Sequence, residues 1–173
     1  MKGVVYDGFG PAEVLRLAEV PRPEVRPQDL LVRVKAAGVN RADILQRNGA
    51  YGNQSFGESA LLGLELAGEV VGVGSEVDEA SIGQRVMAIV GGGAYAEFAR
   101  VDRRMAISIP GNVSFVEGAA IMESFVTAVE AVSHVAGVEQ GQTVLALLWQ
   151  IVDFVAFYRI ERSRCRGVRG KVA

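Results

Sequence analysis

The chain has 173 residues and a formal net charge of −2, with 50% hydrophobic and 22% charged residues. This composition is typical of a soluble globular protein, and the length suffices for one well-buried domain with part of a second. The small net charge gives no general case for nucleic-acid binding. A single cysteine, Cys165, excludes an internal disulfide and fits a reducing, cytoplasmic compartment.

Residues 1–110 are predicted to form short strands separated by turns. The N-terminus lacks the long apolar core of a secretory signal, and residues 1–6 are predicted to be a strand. Alternation and apolar runs predict further strands at 30–36, 70–73, 85–90 and 94–99. Prolines and glycines between them mark turns and barrel corners. Many short strands separated in this way favour a closed or nearly closed all-β body.

Helices are predicted at two places in the sequence. Residues 40–47 form a short helix, with Asn40 placed to cap its first turn. Ser114 and Glu117 have the spacing of a capping box, which predicts the start of a longer helical run. Residues 142–148 then have the character of a buried strand. A helix followed by an apolar strand is how a parallel α/β sheet begins.

The residues after this strand differ from a dinucleotide-binding pattern. A phosphate-binding turn needs glycines so that backbone N–H groups can approach the pyrophosphate, yet no glycine occurs between Gly141 and Gly167. Residues 159–173 carry six basic side chains and one acidic side chain, which we interpret as a solvated tail. Nucleic-acid or anionic-membrane binding is the alternative. The apolar run 144–158 is shorter than a membrane span and contains Asp153, so we expect no membrane anchor.

Two segments carry a family resemblance: GVNRADILQRNGAY at 38–51 and LGLELAG at 62–68. They resemble the medium-chain dehydrogenase/reductases, and within that superfamily the zinc-free, zeta-crystallin-like quinone oxidoreductases. The resemblance extends over about residues 1–145. It implies a mainly β protein, with a GroES-like partly open β-barrel over 1–113. The helix and first strand of a truncated α/β Rossmann domain follow at 114–148, and an atypical basic tail, disordered or non-native, at 149–173.

The resemblance also implies an activity and the residues that perform it. The activity is NADPH-dependent hydride transfer to a quinone or a related carbonyl compound, and a homodimer is left open. Asn40 and Tyr51 would be the catalytic residues, lining the quinone and nicotinamide pocket and stabilising charge on the quinone oxygens. Asn40, Asp43 and Thr127 would bind the cofactor. Glu65 stands where the family keeps an acidic residue beside the site.

No metal is expected at this site. The chain has one histidine, His134, and one cysteine, whereas a zinc site needs three or four suitable ligands. In the zinc-dependent relatives, ligands would stand at the positions of Asn40 and Leu64 and near Glu123. An amide, an alkyl group and one carboxylate cannot replace them.

Several alternatives remain open at this point. Asn40 could be only a helix cap, Tyr51 a loop aromatic and Thr127 an ordinary helix residue. The chain could be truncated, or its gene read out of frame beyond Leu145, and we expect it to bind NADPH weakly or not at all. The alternative function is a non-catalytic GroES-like binding module or a degenerate remnant.

Overall fold

The computed structural model describes residues 1–50, 59–139, 141–148 and 154–159. It divides into two compact units, Met1–Ser124 and Phe125–Ala173. Tyr51, Cys165 and the tail after Arg159 lie outside the described residues. The domain boundaries expected at 113 and 148 stay predictions.

Strands dominate the described part of the first unit. Its strands are β1 (Lys2–Tyr6), β2 (Leu15–Glu19), β3 (Asp29–Ala37), β4 (Glu65–Val73), β5 (Arg85–Ile89), β6 (Phe98–Asp102) and β7 (Ala106–Ser108). Short 3-10 turns lie at Ala12–Val14, Glu79–Ser81 and Arg103–Met105. The helices are α1 (Arg41–Arg47), α2 (Phe115–Gly118) and α3 (Met122–Val129), the last of which continues past Ser124 into the second unit.

Five of these strands form one antiparallel sheet in the order β6-β3-β4-β5-β7. Strands β1 and β2 form a separate hairpin, which is joined to the segment before β6 by a bridge between Gly3 and Ala96. The β3–β4 register shifts between Leu31 and Val32 and again between Val34 and Ala36. Such irregularities bend a strand and increase its twist, so the sheet curls into a partly open barrel.

The sheet buries side chains on both of its faces. Leu66 and Val70 on β4 alternate into the main core, where they pack with Val32 and Val101, and all four are at most 1% exposed. Ala67 faces the opposite way, into a second cluster with Met87, Ile109, Ala119 and Met122. The chain around α2 covers this second face. Strand β4 is therefore buried on both faces.

The predicted mainly β, GroES-like fold is confirmed. The strands predicted at 30–36, 70–73 and 85–90 lie within or along β3, β4 and β5. The strand predicted at 94–99 has the wrong start, since β6 begins only at Phe98 and continues to Asp102. Residues 94–97 instead border β1, where the Val4 N–H donates to Tyr95 O at 2.8 Å and the Glu97 N–H donates to Lys2 O at 3.0 Å.

The helical region after Pro110 is less regular than the spacing predicts. The capping box is present: the Ser114 N–H donates to Glu117 Oε2 at 2.7 Å, and the Glu117 N–H donates to Ser114 Oγ at 3.2 Å. The run then breaks between α2 and α3, and α3 passes into π-helical turns at Glu130–Val135. It ends before Gly137, whose φ of +59° is a left-handed value that favours glycine.

The second unit contains the strand that the sequence predicts near residue 145. Strand β8 (Thr143–Leu148) pairs antiparallel with β9 (Phe154–Arg159), from Thr143 opposite Arg159 to Leu148 opposite Phe154. This pairing differs from the parallel neighbour that a Rossmann sheet would supply. None of the helices in the described ranges has the length and hydropathy needed to cross a bilayer.

Replacing Leu66 by alanine tests the core assignment. Leu66 is 0% exposed, so Leu66→Ala is expected to lower the free energy of unfolding by about 2–5 kcal/mol through lost contacts and an unfilled cavity. Urea unfolding followed by circular dichroism measures the change. The control is Leu17→Ala on β2, because Leu17 is 65% exposed and its truncation should change stability by about 0.5 kcal/mol or less. Equal effects of the two substitutions would contradict the core assignment.

Candidate functional site

The site begins at the N-terminus of α1. Asn40 is the N-cap residue, with an extended backbone at φ −111° and ψ 157°. Its backbone N–H donates to Asp43 Oδ2 at 2.8 Å, and its side-chain Nδ2 donates to Glu65 Oε2 at 3.1 Å. The predicted helix and its N-cap are present. Asn40 is therefore held by two carboxylates, one through its backbone and one through its side chain.

Asp43 lies in the first turn of α1 and is 4% exposed. Besides the Asn40 N–H, it accepts hydrogen bonds from Tyr95 Oη to Oδ2 at 2.9 Å and from the Gly63 N–H to Oδ1 at 3.2 Å. A buried carboxylate needs such donors to replace its lost hydration. Asp43 thus ties α1 to the turn before β4 and to the chain before β6.

Glu65 is the first residue of β4 and is 2% exposed. Its Oε2 accepts from Asn40 Nδ2, and its Oε1 accepts from the backbone N–H of Glu123 at 2.9 Å. One carboxylate therefore joins the start of α1 to the start of α3. Within the described residues, neither Asp43 nor Glu65 forms a salt bridge.

Two glycines permit the close approach of these segments. A Cβ on Gly38 would collide with Glu65 Oε2 and would lie 2.6 Å from the carbonyl oxygen of Ala119. Gly63 has a φ of +98°, and a Cβ there would lie 2.6 Å from the backbone nitrogen of Tyr95. Only glycine fits both positions without movement of the backbone around the carboxylates.

Burial and negative charge change two pKa values at the site. Burial, followed by Asp43 and then Glu65, raises the pKa of the Tyr95 phenol, which therefore stays protonated and remains a donor. Burial also raises the pKa of the Glu123 carboxyl, with Glu65 and Asp43 adding to the effect. The site thus favours neutral, proton-bearing groups around its two buried carboxylates.

The structure brings together part of the predicted set. Asn40, Asp43 and Glu65 form one hydrogen-bonded network, whereas Tyr51 lies outside the described residues. Thr127 lies on α3 in the part of that helix assigned to the second unit, and its side chain is exposed. These catalytic and cofactor-binding roles stay predictions.

One residue of this network was missed in the sequence. The basic residue of α1 closest in sequence to Asp43 on its C-terminal side, Arg47, donates through Nε to Gly10 O at 3.1 Å and through Nη2 to Asn48 Oδ1 at 3.4 Å. Tyr95 takes the place beside Asp43, although it lies 52 positions away in the chain. Nothing in its local sequence signals this role, because only the sheet topology brings it there.

The described residues offer no cluster of metal ligands. Among them, no group of three or more histidine, cysteine, aspartate or glutamate side chains could hold a metal ion. Leu64 is buried, and the Asn40 amide already donates to Glu65. The side chains at these positions are occupied in packing and hydrogen bonding.

The residues near β8 do not fit the diphosphate of NADPH. A dinucleotide site needs a strand that leads through a glycine turn into a helix, whose N-terminal N–H groups face the phosphates. Here β8 pairs antiparallel with β9, and the sequence between them, WQIVD at 149–153, contains no glycine. A phosphate-binding turn is therefore missing from the place where the fold would put it.

Asp43→Asn tests whether the carboxylate holds the network together. An asparagine would present an NH2 group to a backbone N–H of Asn40 or Gly63, so we expect a loss of at least about 1–3 kcal/mol in the free energy of unfolding. The control is Asp7→Asn, which removes the charge of an exposed pair with Arg16 and should change the free energy of unfolding little, because solvent screens an exposed ion pair. Urea unfolding of both variants measures the difference. A loss for Asp43→Asn no larger than that of the control would contradict the structural role of the network.

The chain is similar to proteins of a known family. The alcohol dehydrogenase GroES-like domain matches residues 26–111, which include α1, β4 and the whole five-stranded sheet. The chain is 37% identical over 146 residues to the synaptic vesicle membrane protein VAT-1 homolog-like of Mus musculus. It is 34% identical over 148 residues to a quinone oxidoreductase of Lama guanicoe. These alignments cover 84% of this chain but 34% and 44% of the two relatives.

Solved structures give the same picture. The human VAT-1 homolog-like protein has a TM-score of 0.75 at 37% identity, covering 82% of this chain and 45% of that one. The Escherichia coli quinone oxidoreductase, solved in complex with NADPH, has a TM-score of 0.73 at 26% identity, covering 82% of this chain and 43% of that one. The chain therefore spans less than half the length of these proteins. The matched domain, the shared fold and these relatives show that the chain belongs to the medium-chain dehydrogenase/reductase superfamily and carries its GroES-like domain.

Proposed function

We propose that the chain forms the substrate-side domain of a metal-free, NADPH-dependent quinone oxidoreductase. The observation that carries the proposal is the Asn40 amide, which is half-buried and donates to the buried carboxylate of Glu65. Relatives named quinone oxidoreductase, including one solved with NADPH, support the class of reaction. The chain spans less than half the length of these relatives, so we propose, and do not observe, that it takes part in their type of reaction.

The chemistry follows from the orientation of the amide. A carboxylate only accepts hydrogen bonds, so Glu65 selects the Asn40 conformer in which Nδ2, not Oδ1, faces it. One N–H of Nδ2 is used in this way, and the second can donate to a carbonyl oxygen. Charge develops on a quinone oxygen during its reduction, and a donor fixed in advance stabilises that charge without reorganising.

We also propose roles for Tyr51 and Thr127. Tyr51 would be a second donor to the quinone, and Thr127 would contact the nicotinamide. Both assignments rest on the family resemblance. Location in the cytoplasm is inferred in the same way, and a homodimer is left open.

A second candidate function is a non-catalytic GroES-like binding module. The specific observation in its favour is the antiparallel pairing of β8 with β9, because a chain with this hairpin lacks its own phosphate-binding turn. Such a module would keep the Asp43–Asn40–Glu65 network as a structural support. Quinone binding separates the two functions, since only the reductase domain needs it.

The Asn40 amide is tested by quinone binding to the purified chain. Duroquinone is a suitable probe because its ring is fully methylated and cannot add the thiol of Cys165. We expect saturable shifts of backbone amide signals near residues 38–43 in two-dimensional NMR. Asn40→Ala should weaken binding by roughly fivefold, the value of about one hydrogen bond. The variant also removes a donor from Glu65, so its free energy of unfolding should fall, but we expect it to fold because the Asn40 N–H to Asp43 and the Glu123 N–H to Glu65 remain. Circular dichroism checks that the variant is folded.

The matched control is Asn48→Ala at the other end of α1, whose exposed amide oxygen accepts, within the described part of the chain, a hydrogen bond from Arg47. Its affinity for duroquinone should equal that of the unmodified chain. If duroquinone shifts no signals, the binding-module function is favoured. If Asn40→Ala and Asn48→Ala bind alike, the proposed role of the amide is contradicted.

NADPH binding tests the consequence of the missing phosphate-binding turn after β8. The loss of two charge-assisted hydrogen bonds to phosphate costs about 3–6 kcal/mol, or about 10²–10⁴ in affinity. Titration calorimetry should therefore detect no micromolar binding of NADPH, and an absorbance assay with duroquinone should show negligible turnover. Micromolar binding with clear turnover would show that residues beyond the described ones complete the site.

A further inference from the structure

A cavity of about 430 Å³ lies beside the carboxylate network, in the first unit. Its walls are largely apolar and are formed by Leu64, Ile89, Val90, Gly91 and Met105. Two carboxyl side chains, Asp102 and Glu123, complete the lining. A pocket with apolar walls and few polar groups binds neutral organic molecules and uses those polar groups to orient them.

The two carboxyl groups differ in what they already bind. Asp102 accepts from Arg104 at both oxygens, at 3.0 Å from Nε and 2.6 Å from Nη2. These bonds lower the pKa of Asp102 to about 2 and keep it ionised. Within the described residues, the Glu123 carboxyl oxygens accept no hydrogen bond, whereas its backbone N–H donates to Glu65 Oε1. Glu123 is therefore the polar side chain of the cavity that is available to a ligand.

The surroundings of Glu123 favour its protonated form. Its backbone N–H donates to the buried Glu65 carboxylate. Asn40 in turn connects Glu65 to Asp43, because it donates to both carboxylates. Asp102 lines the same cavity as Glu123. Partial burial and the charges of Glu65 and Asp43 raise the pKa of Glu123. In its protonated form the Glu123 carboxyl donates an O–H hydrogen bond, which a carboxylate cannot do.

We propose that this cavity binds a neutral, apolar carbonyl compound, whose carbonyl oxygen accepts a hydrogen bond from the carboxylic acid of Glu123. The inference deepens the proposed function and rests on it, because a quinone is a ligand of this kind. It adds a donor that is separate from the Asn40 amide. The ionised Glu123 carboxylate only accepts hydrogen bonds, as does the carbonyl oxygen of the ligand, so ionisation of Glu123 weakens binding.

The test is the pH dependence of duroquinone binding to the full chain, followed by NMR. Affinity should fall by about tenfold as the pH rises from below to above the raised pKa of Glu123, because only the protonated carboxyl donates to the carbonyl oxygen. Saturation with duroquinone should raise that pKa further, since the ligand binds the protonated form, and the side-chain carboxyl carbon signal of Glu123 reports this titration directly.

Two variants of the cavity separate Glu123 from general effects of pH. In Glu123→Gln the side-chain amide donates at every pH, so affinity should be independent of pH and, at about pH 8, higher than in the unmodified chain. The backbone N–H that contacts Glu65 remains in this variant. Asp102→Asn changes the other carboxylate of the cavity and should retain the full pH dependence.

The outcomes distinguish this inference from the proposed function. Duroquinone binding that weakens in Asn40→Ala but does not vary with pH supports the proposed function and overturns the role of Glu123. A pH dependence that persists unchanged in Glu123→Gln also overturns it. Absence of binding at every pH contradicts both proposals.

Discussion

The arrangement of the site depends on one buried anion, the carboxylate of Glu65. It lies at the first residue of a strand that is covered on both faces, and it accepts one hydrogen bond on each oxygen. A charge at such a position without any donor would cost several kcal/mol, so each donor that approaches it stabilises the folded chain. The Asn40 amide and the Glu123 N–H are those donors. The beginnings of α1 and α3 are consequently fixed by the charge on β4.

Asp43 extends this constraint to the rest of the network. It holds the backbone of Asn40, while Glu65 holds its side chain, so both parts of one residue are fixed independently. Tyr95 and Gly63 complete the shell of Asp43. A side chain supported on two sides keeps its rotamer in the absence of ligand, which is the condition for electrostatic preorganisation. The negative charges that fix Asn40 also bias nearby acids towards their neutral form.

The sequence predicts the local features of this domain better than its long-range contacts. The strands, the helix at Asn40 and the capping box at Ser114 follow from alternation and capping, which depend on neighbouring residues. The convergence of Asn40, Asp43 and Glu65 could be expected only from the family resemblance. Tyr95 could not be found, because the sheet order that brings it to Asp43 is not written in its neighbours. The start of β6 was predicted too early for a related reason. Residues 94–97 border β1, which lies far away in the sequence, and the pairing of β6 with β3 begins only at Phe98.

The hydrogen bonds of the Glu65 carboxylate join parts of the chain that are far apart, with separations of 25 positions to Asn40 and 58 positions to Glu123. These groups have no reason to meet in the unfolded chain, so the site exists only once the sheet has formed. A molecule that binds the site therefore binds the folded state alone, and mass action makes every such ligand a stabiliser of the whole domain. At a concentration about a hundred times its dissociation constant, that stabilisation is about 2.7 kcal/mol, a substantial fraction of the stability of a small domain. A ligand of this site would therefore also protect the domain from unfolding.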